Sequence, residues 1–465
     1  MATTAISLWR KETDLKRIIP ILMLMSALAL CAQSAPLSMD EARDLALSNN
    51  PDYQASLSGL EAAKWDKMNA LSGFMPSLSL DGTWLYMDPA QTVATGAGSI
   101  TLNHDFRTFG FSLSQPIFLG GKLWQAYQMA RVGVDMAETS LASKRLEVIS
   151  GVNDRYLAVL QAQSLRQITD LDQQSAEKNY EIAQIKYDNG LLSSADYLRF
   201  KSRLASKEVS SLQAQTAMQM AQMSLRDYLL LDYLPLVQEL PSLDDDAILL
   251  ALDSYDAEAS RNLSALALQR GREENYSLRL LDKSVELSRR SISINKGSFL
   301  PTLMLVANRS YEENGIDRYQ FDHSDQIMLT ASLPILPQLG NYAKLRKAKA
   351  SYRQATLNAR TAEAGILMGT EAAVLNMVSA AKQVRASRLA LSYTEQSYDQ
   401  MQERFRVNLI SSTELLDAEL MLSSARVAYM NSEFAYYKAR VELQRLLGME
   451  DPTALNEMII SGVKK

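Results

Sequence analysis

Tyr187-Asp-Asn-Gly-Leu-Leu-Ser-Ser-Ala-Asp-Tyr-Leu198 and Phe405-Arg-Val-Asn-Leu-Ile-Ser-Ser-Thr-Glu-Leu-Leu416 are two versions of one turn, 218 residues apart. The same spacing separates Ser114-Gln-Pro-Ile117 from Ser332-Leu-Pro-Ile335, and Phe74-Met-Pro-Ser-Leu78 returns 225 residues later as Phe299-Leu-Pro-Thr-Leu303. Three landmarks repeated in the same order define a duplicated unit, which has to be recognised before any fold is assigned. The repeats are expected at 36–240 and 241–450, with a tail at 451–465.

Upstream of each turn the chain holds no strong breaker for 67 residues, from Gly121 to Tyr187 and from Leu339 to Phe405. At 1.5 Å per residue each helix would be about 100 Å long, more than a compact domain can bury. Apolar positions recur at three and four residues but are diluted by Ala, Ser and Gln, which suits thin coiled-coil packing rather than a thick core. Gly190 and Asn408 are the residues that tolerate a left-handed helix end. Ser193 with Asp196, and Ser411 with Glu414, have the serine-plus-acid spacing of a helix start. The hairpin tips are thus expected at 188–193 and 406–411, with return helices over 194–229 and 412–447.

Leu37 to Ser72 reads as helix, capped by Ser38 with Glu41, broken at Asn49-Asn-Pro51 and stopped by Pro76. The period then changes from 3.6 to 2. Leu78, Leu80, Gly82, Trp84 and Tyr86 share one face; Ser77, Ser79, Asp81 and Thr83 share the other. Phe109, Phe111 and Leu113 alternate likewise before Pro116, and the second copy repeats the pattern with Leu303, Leu305 and Ala307, then Ile327, Leu329 and Ala331. Strands are predicted at 76–88, 105–117, 300–311 and 325–335. Residues 88–105 read as a loop and 230–257 as a linker.

The first 35 residues read as an export signal: Arg10, Lys11, Lys16 and Arg17 precede an apolar run from Ile18 to Ala32, with small and polar residues to Ala35. The run is short for a membrane span. Cys31, the only cysteine, lies within it, so a processed chain has no disulfide and no thiol chemistry. A lipoprotein signal at Leu28-Ala-Leu-Cys31 is weakened by the bulky Leu30. Formal charge moves from −5 to −7 on processing, which gives no reason to expect nucleic acid. No phosphate loop, nucleophile elbow or metal-ligand spacing appears. His104 and His323 read as surface residues beside strands, and no cofactor is implied.

Alternating strands of this length fit a half-buried soluble sheet or a membrane barrel. The export signal, the lack of another sheet and the lack of an apolar inner-membrane helix favour the barrel. Four strands cannot close one, since about eight are the minimum. An open edge in lipid costs several kcal/mol per unpaired backbone group. Two chains would supply eight strands and a filled interior; three would supply twelve and a pore.

The Phe-x-Pro strand entries at Phe74 and Phe299, the Gln-Pro-Ile and Leu-Pro-Ile exits, and the paired Gly/Asn-Leu-x-Ser turns resemble the TolC family of outer-membrane efflux channels. The likeness covers nearly all of the chain after the signal. The fold expected is mainly α with a small β part, a duplicated unit of long coiled-coil helices plus two β-hairpins. The resemblance implies a homotrimer with a 12-stranded β-barrel in outer-membrane lipid, continued by an α-helical periplasmic barrel. It also implies an exit duct for efflux or type I secretion, working with a periplasmic adaptor (membrane fusion) protein and an inner-membrane RND or ABC-type pump.

By the same resemblance Asn189, Gly190, Leu191, Ser193, Asn408, Leu409 and Ser411 are adaptor-docking tips, although Gly190, Asn408, Ser193 and Ser411 are also explained by helix reversal alone. Phe405, Glu414 and Asp417 are expected at a tunnel aperture, with six carboxylates in a trimer favouring cations; a solvated face with Glu414 as a cap fits equally. Family members often carry arginine at the place of Ile410 and tyrosine at that of Phe405. Trp84, Tyr86 and Tyr311 are expected as membrane-interface aromatics, whereas Trp65 and Trp124 are expected to pack within helices. The rivals are a periplasmic scaffold or adaptor outside the membrane and, far behind, an enzyme.

Overall fold

The change of period after Pro76 becomes a change from helix to sheet. The computed structural model describes residues 36–96, 98–241, 243, 246–313, 319–335 and 338–463; the expected signal segment 1–35, with Cys31, lies outside them. The helices are α1 (Met39–Asn49), α2 (Pro51–Ser72), α3 (Lys122–Asp188), α4 (Ser194–Leu229), α5 (Ala247–Asp253), α6 (Ala257–Glu274), α7 (Tyr276–Gly297), α8 (Gln338–Arg406), α9 (Ser412–Leu447) and α10 (Pro452–Val463). The strands are β1 (Ser77–Tyr86), β2 (Thr92–Thr95), β3 (Gly98–Thr101), β4 (Asp105–Leu119), β5 (Thr302–Glu313) and β6 (Phe321–Ser332). Two units divide the chain. One comprises Gln54–Lys144 and Glu274–Leu367; the other comprises Arg145–Glu273, the described residues before Gln54 and those from Met368 onward. The helices α3 and α8, of 67 and 69 residues, contribute to both.

The first unit carries a four-stranded antiparallel sheet in the order β1-β4-β5-β6, so the two copies meet through β4 and β5. Register puts Leu80, Phe111, Arg309 and Asp325 in one row, and Gly82, Phe109, Tyr311 and His323 in the next. Strand boundaries differ from the sequence reading at three places. Pro116, which has no N–H to give the ladder, is absorbed by a register shift between Pro116 and Phe118 instead of ending β4, which runs to Leu119. The β5–β6 pair extends past the inner ends of the predicted bounds 300–311 and 325–335, toward their connection, because Glu313 pairs with Phe321 and its carboxylate accepts from Arg107 at 3.2 Å. Residues 88–105 are not a plain loop, since β2 and β3 pair there as a separate ribbon.

The second unit holds three apolar clusters. Val148, Val152, Tyr156 and Leu160 of α3 pack with Ala42 and Ala46 of α1 and Leu225 and Leu229 of α4. Val374, Met377 and Ala381 of α8 pack with Leu443 and Leu447 of α9 and with α5 and α10. Two corrections come from this core. The linker 230–257 contains α5, capped by Asp246 and buried through Ile248, Leu249 and Leu252. The tail 451–465 contains α10, whose Leu455 and Ile459 are fully buried. Helix α8 is long and apolar enough by composition to cross a membrane, against the expectation of no such span. Its Ala373, Val374, Met377, Val378, Ala381 and Val384 are buried in this core, while Leu375 stays exposed.

Between β4 and α3 the backbone turns through Gly120, at φ 62°, and Gly121, at φ 74°. A Cβ on Gly120 would lie 2.2 Å from the Gly297 carbonyl oxygen; one on Gly121 would meet nothing within 4 Å. Gly120→Ala is therefore expected to cost at least about 2 kcal/mol, and Gly121→Ala only the backbone part, about 1 kcal/mol. Thermal unfolding of the two purified variants checks this; equal melting temperatures would show the close approach to be immaterial.

Candidate functional site

Two places concentrate the residues that sequence reasoning singled out: the hairpin tips in one unit and the sheet in the other. At the tips, Gly190 and Asn408 both adopt left-handed backbone, at φ 74° and 63°. The Leu191 N–H donates to the Lys186 carbonyl, and the Leu409 N–H to the Arg404 carbonyl, closing the two helix ends. Ser193 accepts from the Asp196 N–H at 3.1 Å. Ser411 accepts from the Glu414 N–H at 3.3 Å, while the Glu414 carboxylate accepts from the Ser411 N–H at 2.7 Å, a full capping box.

Leu192 and Ile410 turn inward onto a core of Ala183, Phe200, Tyr398, Phe405, Leu415 and Leu422. Their neighbours do not. Leu191 is 63% exposed and Leu409 72% exposed. Helix reversal needs neither of these leucines outside, so their exposure is the unexplained feature of the tips.

Phe405, expected at a tunnel aperture, is buried within its own hairpin pair. It is 2% exposed, 5.5 Å from Phe200 ring to ring, and lies beneath the Lys186 ammonium. The same ammonium donates to the Phe405 carbonyl and to Asn408 Oδ1. Burial holds the Lys186 pKa below the ordinary lysine range. Glu414 and Asp417 are exposed, three apart on α9. Glu414 is held below its usual carboxylate pKa by the Ser411 N–H and then by the Ser411 hydroxyl.

The polar residues beneath the tips were not legible in the sequence. Asn179 is fully buried, donating to Tyr398 Oη at 2.9 Å and Glu419 Oε2 at 3.1 Å, and Arg203 donates to Glu419 Oε1 at 2.8 Å. Asp172 accepts from Lys207 at 2.5 Å and Arg426 at 3.2 Å. Among some hundred exposed polar helix positions, nothing local marked these as inward.

In the sheet, Ile327 is 82% exposed, Leu78 69%, Leu80 67% and Leu329 63%, all on the apolar face. The opposite face is hydroxyl- and amide-rich. A hollow of about 440 Å³ opens on it, lined by Asp81, Thr83, Ser112, Asn308, Ser324 and Gln326. Trp84 and Tyr86 are exposed on the apolar face opposite Arg107 and Asp105, and Tyr311 stacks on Phe109 at 5.0 Å. Trp65 and Trp124 do not pack inside helices as expected; they are 66% and 55% exposed.

Residues 42–229 and 267–449 match the model of the family described as outer membrane efflux protein. The chain is 21% identical to outer membrane protein TolC of Escherichia coli (strain K12), over 96% of this chain and 90% of that protein. It is 23% identical to alkaline protease secretion protein AprF of Pseudomonas aeruginosa, over 88% of this chain and 84% of that one. Its fold is that of the Campylobacter jejuni CmeC outer membrane channel, with a TM-score of 0.74 at 18% identity, over 90% of this chain and 89% of that chain.

Truncating Phe405 to Ala should loosen the tip by about 3–5 kcal/mol, because a filled aromatic site becomes a cavity. Hydrogen exchange over 398–422 reads this directly. Glu414→Gln keeps an acceptor for the Ser411 N–H and should leave that protection close to the parent's. The lowered Glu414 pKa gives a sign. Its contribution is complete above the ordinary value of 4.5 and is lost as pH falls through the folded-state value. Tip protection in the parent should therefore drop on acidification while that of Glu414→Gln does not follow.

Proposed function

Because the chain belongs to the outer membrane efflux protein family, we propose that it is the outer-membrane exit duct of a tripartite efflux or type I secretion system, passively conducting cargo from a periplasmic adaptor and an inner-membrane RND or ABC-type pump to the exterior. The observation that carries this reading is the sheet: one face exposes Leu78, Leu80, Ile327 and Leu329, with its charged Arg309 and Asp325 paired at 2.9 Å, and the other is polar and hollow. A water-filled barrel in lipid needs that distribution. Ten residues of β1, at about 3.3 Å each and a tilt of 35–45°, span about 25 Å, the height of a barrel's apolar band.

The sheet also has two open edges. β1 and β6 stand at its ends and run in opposite senses, so β6 of one copy can continue onto β1 of the next in the same antiparallel pattern. Three copies would close twelve strands and keep the polar face around a lumen; two would fill it. Trp84, Tyr86 and Tyr311 then act as anchors at the outer water interface.

The tips divide into two roles in this reading. Leu191 and Leu409, with Asn189 and Asn408 beside them, form the adaptor contact, since an exposed leucine gains most from a partner's apolar surface. Glu414 and Asp417 supply six exposed carboxylates per trimer at the aperture, attracting cations. Phe405 supports the tip from within, beneath this aperture. A periplasmic scaffold is less favoured, because it leaves the apolar face of the sheet with nothing to cover it.

Paired substitutions on β6 test the assignment of faces. Leu329→Arg puts a charge on the apolar face and should cost about 2–4 kcal/mol in a bilayer, suppressing insertion and planar-bilayer conductance. Thr330→Arg, on the hollow side, should insert normally and shift conductance toward anions. Conductance surviving Leu329→Arg unchanged would overturn the barrel. Separately, Glu414→Gln with Asp417→Asn should lower cation preference while conductance persists; an unchanged preference would remove the acidic aperture alone.

A further inference from the structure

Helix α8 begins six residues after β6 ends, and from Gln338 to Ala362 it carries Lys344, Arg346, Lys347, Lys349, Arg353 and Arg360 without one acidic residue. All six are exposed, and none forms an ion pair with the described residues. Exposed apolar side chains lead into this run: Ile335 at 74%, Leu339 at 77% and Tyr342 at 52%. Arg346 lies one turn beyond Tyr342, with its guanidinium 5.9 Å from the ring centre, and Lys349 falls on the same face three residues later. Apolar, then aromatic, then cationic is the order met by a segment leaving hydrocarbon through a headgroup layer.

The first copy supplies an internal comparison. At the 218-residue offset Trp124 stands for Tyr342 and is also exposed; the exposed Arg131 stands for Lys349, whereas Gln128 stands for Arg346 and Asp135 for Arg353. Asp135 is neutralised locally by Lys283 at 3.5 Å. Both copies thus keep an exposed aromatic one turn inside the helix and a cation seven residues beyond it, and only the second adds a cation at four residues. The fold therefore does not require the cation at the Arg346 position.

Face and distance together select the members: Lys344 and Lys347, two and five residues from Tyr342, fall on the other side of the helix. At 1.5 Å per residue Arg346 and Lys349 lie about 6 Å and 10 Å along the helix from Tyr342, within reach of a headgroup layer some 5–8 Å deep. Arg360 lies about 27 Å away, beyond both the layer and a Debye length. We infer that Tyr342, Arg346 and Lys349 form a binding site for the phosphate of an anionic phospholipid in the leaflet at the helix end of the sheet. A tunnel-facing role is disfavoured because the same face carries Leu339 and Tyr342 bare. The inference rests on the sheet being the membrane-inserted part.

The test uses the purified, processed protein in detergent, offered equal amounts of phosphatidylglycerol and phosphatidylcholine, with retained lipid counted by native mass spectrometry. The parent should retain phosphatidylglycerol preferentially, less so as salt rises, and millimolar inorganic phosphate should not displace it. Arg346→Gln with Lys349→Gln should lower that retention about tenfold, while Arg360→Gln leaves it unchanged. Equal retention of the two lipids by the parent, displacement by inorganic phosphate, or full retention by the double variant each overturns the site. So does a double variant whose bilayer ion selectivity changes while lipid retention does not, since the face would then line the water path. Absence of parent conductance in the same preparation would instead refute the channel reading.

Discussion

An unpaired backbone amide or carbonyl has no partner in hydrocarbon, and this constraint organises the protein. The sheet leaves the β1 and β6 edges open, while its apolar face has nothing over it. Either defect alone could belong to a soluble domain with a partner. Together they fit the proposed setting, lipid around the sheet and further strands beside it, because each open group in lipid would cost several kcal/mol. Duplication joins two hairpins through β4 and β5; in the proposed barrel further copies would supply the rest.

The same accounting of backbone groups shapes the tips. A helix end leaves four carbonyls or four amides without partners. Gly190 and Asn408 close one side, and Ser193 and Ser411 the other. With the backbone satisfied, side chains at the turn are free for other work. Phe405 and Ile410 are drawn into a small core, and Leu191 and Leu409 are left outside. Lys186 joins the two hairpins by reaching from α3 to the Phe405 carbonyl and Asn408. It adds a buried cation where departures at Phe405 and Ile410 had suggested only lost polarity.

Much of the architecture could be read from periodicity. The caps, the return helices and the period-two segments depend on interactions within a few residues, and those are written locally. The misread places share a non-local cause. β4 runs past Pro116 because β5 accepts a bulge there. β5 and β6 extend because Arg107, on another strand, neutralises Glu313. Helices α5 and α10 form because Ile248, Leu252 and Leu455 find a core assembled from segments hundreds of residues apart. Trp65 and Trp124 looked like packing residues, and their exposure could be seen only once neighbouring helices were in place.

The sequence by itself determined the duplication, the long helical hairpins, the turn chemistry and the two-faced strands, because each follows from spacing along one chain. Only the tertiary structure decided which polar residues are buried partners, that Phe405 is core, that the polar face of the sheet is hollow, and which cations stand unpaired beside it. Those properties belong to the space between segments. A side chain's surroundings are set by residues far away in sequence, and no local pattern encodes them.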